Sequence, residues 1–302
     1  MNEVFSPTSL KSALERLRED PTLRPLAGCT DWMVRGAVER LEQVGVLDLL
    51  RVEELRGIRE LEEGEELYGA SGSTRGAAGS FKGLRIGATT SFSQIREHPL
   101  VREHYPILAE AASQIGGRQI QNRATVGGNM VNASPAGDSL PVLLAFDAEV
   151  EIAGLDGMRR VAYDSFYTGY RATVLKPGEL LSAVLLPPVP SYQRFKKVGT
   201  RRAQAISKVV LALCAQRGSI PDAKDGGEGW SQVRIAAGSV APTPVRLRKA
   251  EAACEGAPVG IETAMAAANA ACAEVTPIDD IRSSAHYRLF ALGRVLRRML
   301  NG

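Results

Sequence analysis

Apolar positions recur along this chain with two periods, and the changes between them mark out its elements. In "SPTSLKSALERLRED", residues 6–20, Leu10, Ala13, Leu14 and Leu17 fall three or four apart. That spacing places them on one helical face, with Ser and Thr available as caps and Pro21 as the stop. "LRPLAG" predicts a short buried strand that breaks at Gly28, "TDWMVRGAVERL" a capped helical segment, and "VGVLDLL" another strand. This order of strand, turn, helix and strand suggests a small α/β unit. "LRIGATTSFSQIREHPLV" predicts a strand, a turn and a short helix. "PILAEAASQIG" predicts a helix with Pro106 in its first turn, running out at Gly116 and Gly117.

Further along, "LLAFDAEVEIAG" and "RRVAYDSFY" predict antiparallel strands, the first turning at "GLDG". "KPGELLSAVLLPPVPS" ends in a proline cluster, the expected domain boundary. Beyond it "QRFKKVG" and "QVRIAAGSVAP" predict strands, "AQAISKVVLALCAQ" fits helix or strand, and "KDGGEGW" is a turn or hairpin tip. The remainder, "RLRKAEAACEG", "IETAMAAANAACAEV" and "SSAHYRLFALGRVLRRML", predicts helices. Residues 69–83, rich in Gly and Ser, predict an exposed mobile loop. No internal repeat is found, and the fold class is α+β.

Composition narrows what such a fold can do. The 302 residues are 44% apolar and 24% charged, enough for a packed core. The net charge of +3 is too balanced to indicate nucleic acid. Residues 194–208 nevertheless carry six Lys and Arg and no acid, while residues 39–66 are mostly acidic. The four cysteines are scattered and there are three histidines, so a metal or iron–sulfur site within this chain is not expected. The N-terminal "MNEVFSPTSL" has no secretory pattern, and no apolar run approaches a membrane span. The expected location is cytoplasmic.

Two glycine-centred stretches carry the candidate chemistry, "PLAGCTDWM" (25–33) and "TVGGNM" (125–130). Glycine lets the backbone approach a ligand closely, and consecutive inward amides form a nest for an anion such as a diphosphate. Thr30 and Asn129 add side-chain donors. A Rossmann pattern of GxGxxG with a following acid is absent, as is a P-loop. His98, His104 and His286 assemble no nucleophilic triad, and no catalytic residue is assigned.

These stretches, with "GLRIGATTSFSQI", "IGGRQIQNRATVGGNMVNASPAGDSLP", "KVGTRRAQAISKV" and "VRIAAGSVAPTPVRLRKAE", occur in an order that resembles the FAD-binding medium subunit of the molybdenum hydroxylases. That is the family of xanthine dehydrogenase and carbon monoxide dehydrogenase. The resemblance covers about residues 3–300. It implies a two-part FAD-binding domain of the vanillyl-alcohol-oxidase type over 1–187, with subdomains of about 1–55 and 56–187. A C-terminal flavoprotein domain would follow over 191–302. It implies that Leu26, Ala27, Gly28, Cys29, Thr30, Asp31 and Trp32 wrap one side of the FAD diphosphate. Thr125, Val126, Gly127, Gly128 and Asn129 would wrap the other. Ile115, Gly116, Gly117 and Gln119 would line the adenosine side. Asp138 would accept from FAD hydroxyl or amine groups, Leu180 would pack on the isoalloxazine, and Lys197 would sit at the flavin's polar edge.

The same resemblance implies partners: a molybdopterin-binding large subunit and a small subunit with two [2Fe–2S] clusters, in a dimer of heterotrimers. FAD would collect electrons and pass them to an acceptor such as NAD. Plainer roles stand beside these. Asp138 fits a helix N-cap in "GDSLPVLL". Lys197 fits a solvated basic face. Cys29 stands where the family usually has a second glycine, so FAD affinity depends on its backbone conformation. Two other functions are weighed: a stand-alone flavin oxidoreductase of the same superfold, and an adaptor that has lost its flavin.

Overall fold

The computed structural model describes residues 3–36, 45–62, 65, 67, 81–202, 204–219 and 227–301. The chain opens with β1 (Val4–Phe5), α1 (Leu10–Glu19), β2 (Arg24–Leu26), α2 (Thr30–Gly36) and β3 (Val46–Asp48). α1 starts where the Ser9 hydroxyl accepts the Ser12 amide at 3.3 Å. Its buried residues are Ala13, Leu14 and Leu17, as the spacing predicts. They pack on Leu23, Leu47 and Leu55 beneath the parallel sheet β1–β3–β2. Residues 37–44, the rest of the helical segment predicted after Thr30, lie outside the described residues, as do residues 69–80 of the predicted loop.

Next come β4 (Ile58–Glu60), β5 (Leu84–Gly87) and six short helices: α3 (Phe92–Glu97), α4 (Pro99–His104), α5 (Pro106–Gln114), α6 (Arg118–Arg123), α7 (Val126–Asn132) and α8 (Leu140–Ala145). The strands β6 (Glu149–Gly154), β7 (Gly157–Ala162), β8 (Tyr167–Gly169), β9 (Ala172–Thr173) and β10 (Leu180–Leu186) follow. An antiparallel sheet runs β4–β5–β10–β6–β7. β10, "LLSAVLL", is buried at all seven positions because it is covered on both faces. Leu181, Val184 and Leu186 join one core, and Ala183 and Leu185 join Leu61 on the other side.

Two expectations change here. "LLAF" is helical: α8 is buried all round, and an unbroken apolar run carries no period that separates a buried helix from a strand. "TVGG", a glycine-centred stretch expected to form a nest, is the start of α7. Thr125 caps it, its hydroxyl accepting the Gly128 amide at 3.1 Å.

The C-terminal part has β11 (Tyr192–Val198), β12 (Val209–Ser219), β13 (Glu228–Gly238), β14 (Val245–Arg246), α9 (Arg248–Cys254), α10 (Ile261–Glu274) and α11 (Ala285–Asn301). "SKVVLALCAQ", ambiguous in the sequence, is strand from Val209 onward. Residues 220–226, where the predicted tip begins, lie outside the described residues. The sheet β11–β12–β13–β14 is antiparallel throughout. β12 serves two cores by strict alternation. Val210, Ala212 and Cys214 face the core that holds α5 and α8, and Val209, Leu211, Leu213 and Ala215 face α9–α11. Charges reinforce that junction. Arg246, almost fully buried, reaches Asp147, the Glu251 carboxylate and the Leu144 carbonyl, and Arg234 joins Asp147 at 2.5 Å.

Candidate functional site

The fold brings the two glycine stretches side by side. A methyl group on Gly28 would lie 1.9 Å from the Arg123 carbonyl oxygen, so only glycine lets β2 turn into α2 against the end of α6. Arg123 is two residues from Thr125, the cap of α7. Cys29 follows in the left-handed region at φ +59, and its thiol donates to the Ala27 carbonyl at 3.2 Å. Here a side chain occupies a conformation that glycine adopts without strain. Burial pushes the Cys29 thiol pKa up, with Asp48 adding to the shift and Arg123 opposing it. The first intrahelical bond of α2 runs from the Met33 amide to the Cys29 carbonyl at 3.0 Å, so the Thr30 and Trp32 amides have no intrahelical acceptor.

The second stretch is built differently from the expected nest of free amides. The Val126 amide donates to the Thr90 carbonyl at 3.0 Å and that of Gly127 to Ala88 at 2.9 Å. Gly128 donates to the Thr125 hydroxyl and Asn129 to the Thr125 carbonyl. The glycines therefore serve close packing and a bare surface. Gly127 has no room for a Cβ, which would lie 2.7 Å from Ala88, whereas Gly128 is exposed. The Asn129 amide oxygen accepts from the Ser139 hydroxyl at 2.7 Å, which turns its NH2 group outward as the donor.

Beside Ser139 sits Asp138, the centre of the site. Lys197 Nζ donates to Asp138 Oδ2 at 2.6 Å and to the Gln114 carbonyl at 3.0 Å. The two side chains are 9% and 6% exposed. The N-cap role is excluded for Asp138, since Ser139 holds that position and Asp138 points to Lys197. The solvated basic face is excluded for Lys197 by its burial. Asp138 Oδ1 is buried with no hydrogen-bond partner. Burial raises the carboxyl pKa to about 6, against the pull of the Lys197 ammonium. The neighbouring Ser207 hydroxyl bonds Ala136 and Ser239 and also sits close enough to favour the ionised form of Asp138, against the desolvation that raises it.

A continuous line results. It runs from Gly28 to Arg123, through Thr125 and α7 to Asn129, then Ser139, Asp138, Lys197, Gln114 and Ile115. Gly116 lies at φ +54, and a Cβ on Gly117 would come within 3.2 Å of the Gln204 side chain. Gln119 is exposed, while Leu26 and Trp32 are half-buried. Leu180 stands apart, 4% exposed among Leu14, Leu17 and Leu47 under the small sheet. Sequence reasoning did not single out Ser139, Gln114 or Arg123. Ser139 adjoins Asp138 in "GDSLP", but Gln114 contributes only a backbone carbonyl, which leaves no residue signature.

An FAD molecule fits this line on one structural ground above others. A buried acceptor, Asp138 Oδ1, lacks a donor next to a bare glycine surface and an outward amide, and an unmet buried acceptor calls for a ligand or water donor. Comparison with known proteins decides the family. The family model described as the FAD binding domain in molybdopterin dehydrogenase matches residues 72–189, and that of the CO dehydrogenase flavoprotein C-terminal domain matches residues 193–302. The putative xanthine dehydrogenase FAD-binding subunit XdhB of Escherichia coli (strain K12) is 31% identical, over 97% of this chain and 92% of its own length.

The chain belongs to the FAD-binding medium subunits of the molybdenum hydroxylase family.

The carbon monoxide dehydrogenase medium chain of Hydrogenophaga pseudoflava is 30% identical over 99% of this chain and 96% of its own length. Among solved structures, the Hydrogenophaga pseudoflava carbon monoxide dehydrogenase that lacks the Mo-pyranopterin moiety of its molybdenum cofactor superposes with a TM-score of 0.86. The match is 28% identical and covers 99% of this chain and 96% of that one. The two-part FAD-binding fold with its flavoprotein C-terminal domain is therefore as the resemblance implies. The medium subunit is an FAD-dependent oxidoreductase component. No described helix is long and apolar enough to cross a membrane, and no described group of His, Cys, Asp and Glu is arranged to hold a metal.

Proposed function

We propose that this medium subunit holds FAD along the line from Gly28 to Ile115, takes electrons from [2Fe–2S] clusters of a small partner subunit, and delivers them to an acceptor such as NAD. The observation that carries the placement is the buried, donor-less Asp138 Oδ1 beside Gly128 and Asn129. FAD supplies the one- and two-electron chemistry that no side chain here provides. The chain's own residues bind and orient. Ala27–Thr30 and Gly128–Asn129 face the diphosphate from two sides, and Ile115–Gln119 flank the adenosine. Asp138 Oδ1 accepts from a cofactor hydroxyl or amine. Lys197 holds the other carboxylate oxygen in place and pins Gln114, so it acts on FAD through Asp138.

In this reading the FAD-binding part spans residues 1–187 and the C-terminal part residues 191–302. The molybdopterin lies on a large partner, the assembly is a dimer of heterotrimers, and the location is cytoplasmic. Substrate hydroxylation belongs to the large subunit in this reading.

The test is a visible spectrum of the purified chain with added FAD, followed by identification of the flavin released on denaturation. A bound spectrum that yields FAD supports the assignment, and reduction of that flavin by the reduced iron–sulfur subunit supports the electron path. No flavin binding, even with both partners present, refutes it in favour of an adaptor. Substrate turnover by the isolated chain refutes it in favour of a stand-alone enzyme.

A further inference from the structure

The geometry points to Arg123 as the cation that neutralises the diphosphate of bound FAD. This assignment rests on the cofactor reading above; Arg123 lies inside the motif "QNRATVGGN", but the resemblance gives it no role.

Arg123 lies at the C-terminal end of α6, between the two stretches that flank the diphosphate. Its backbone carbonyl is the surface on which Gly28 packs, so the position is fixed by a contact that admits no side chain at Gly28. Its charge reaches Cys29, where it opposes the upward shift of the thiol. The guanidinium is exposed, and among the described residues no hydrogen bond or ion pair engages it. The nearby acid that also acts on Cys29 is already occupied. Asp48 accepts from the Leu50 amide at 3.0 Å and the Ser6 hydroxyl at 3.4 Å.

The bonding pattern of α7 leaves the charge of that side of the diphosphate to be met by a side chain. Its first amides are bonded within the protein, so that side of the site offers a bare glycine and one neutral carboxamide to a doubly charged group. Lys197 is buried and bound to Asp138, which removes the other cation on the line from this role. A planar guanidinium with five donors suits two phosphate groups better than an ammonium does.

The test measures FAD affinity of the full chain by flavin fluorescence quenching, at low and high sodium chloride, for native protein, Arg123→Gln, Arg123→Lys and Arg298→Gln. The last removes an equal charge from an exposed position on α11. Melting curves confirm that each variant folds. The expected result is a loss on the order of tenfold or more in Arg123→Gln at low salt, since a hydrogen bond to a charged group carries at least that factor. The gap should narrow at high salt, where the interaction is screened. Arg123→Lys should recover part of the loss, and Arg298→Gln should match native protein.

Affinity of Arg123→Gln within about twofold of native protein overturns the inference. A loss that is insensitive to salt and no better in Arg123→Lys also overturns it, by showing that shape rather than charge matters. Failure of the native chain itself to bind FAD sinks the cofactor reading, a different outcome from either.

Discussion

Replacing Lys197 by Met tests the centre of the site without any cofactor. Lys197 and Asp138 form a pair at 2.6 Å with both side chains under a tenth exposed. Removing one member of a buried pair costs roughly 3–5 kcal/mol, because the other charge is left in a poorly polarisable interior. Here the loss has a ceiling, since the carboxyl can take up a proton instead. The unfolded carboxyl titrates near 3.8. Protonating it at about pH 7 therefore costs about 4 kcal/mol, and at about pH 5 only about 1.6 kcal/mol. The destabilisation must shrink by roughly 2–3 kcal/mol over that range. In the native chain the folded value is already raised, to about 6, by burial. The folded state thus binds this proton more tightly than the unfolded state, and the group's contribution to stability falls as pH rises from about 4 to about 6. Lys197→Met extends the fall to higher pH. Urea unfolding of native protein, Lys197→Met and the double variant with Asp138→Leu, at about pH 5 and about pH 7, reads these differences. The double variant has no buried charge and should recover most of the loss. A loss equal at both pH values, or a double variant as unstable as the single one, would refute the reasoning.

Other outcomes follow from the backbone of the same site. Gly28→Ala places a methyl 1.9 Å from the Arg123 carbonyl, so β2 and α6 must separate. It should lower the melting temperature by more than about 5 °C and abolish FAD binding, and a melt superposable on native protein would show that the two segments are not in contact. Cys29→Gly relieves a left-handed side chain worth about 1–2 kcal/mol but adds about 0.4–1 kcal/mol of unfolded-state entropy. It should leave stability equal or slightly higher and FAD affinity undiminished. Cys29→Val places a β-branched side chain at φ +59, and chemical unfolding should show a loss of more than about 1 kcal/mol.

Local patterns made some of this molecule readable in advance and left other parts hidden for specific reasons. α1 was legible because its cap, its apolar face and its stop all lie within fifteen residues of sequence. α7 was not, because two glycines disfavour a helix and the acceptors for its first amides come from Ala88 and Thr90, more than thirty residues earlier. Leu180 poses a different limit. In a strand buried at every position, nothing in the sequence distinguishes a core side chain from one that faces a ligand.

The same limit governs the site's charged centre. Asp138 and Lys197 were each visible as candidates, and each had an ordinary local explanation as a cap or a surface lysine. The structure removes both explanations at once by pairing residues 59 positions apart. Lys197 lies on β11, and β11 reaches Asp138 only because its neighbour β12 inserts Val210, Ala212 and Cys214 into the core that holds α8. The last polar contact of the cofactor line is therefore made by docking the C-terminal sheet on the FAD-binding part. A substitution that loosens that junction, such as Cys214→Ser within its apolar contact, should weaken FAD binding without touching any residue of the proposed cofactor line.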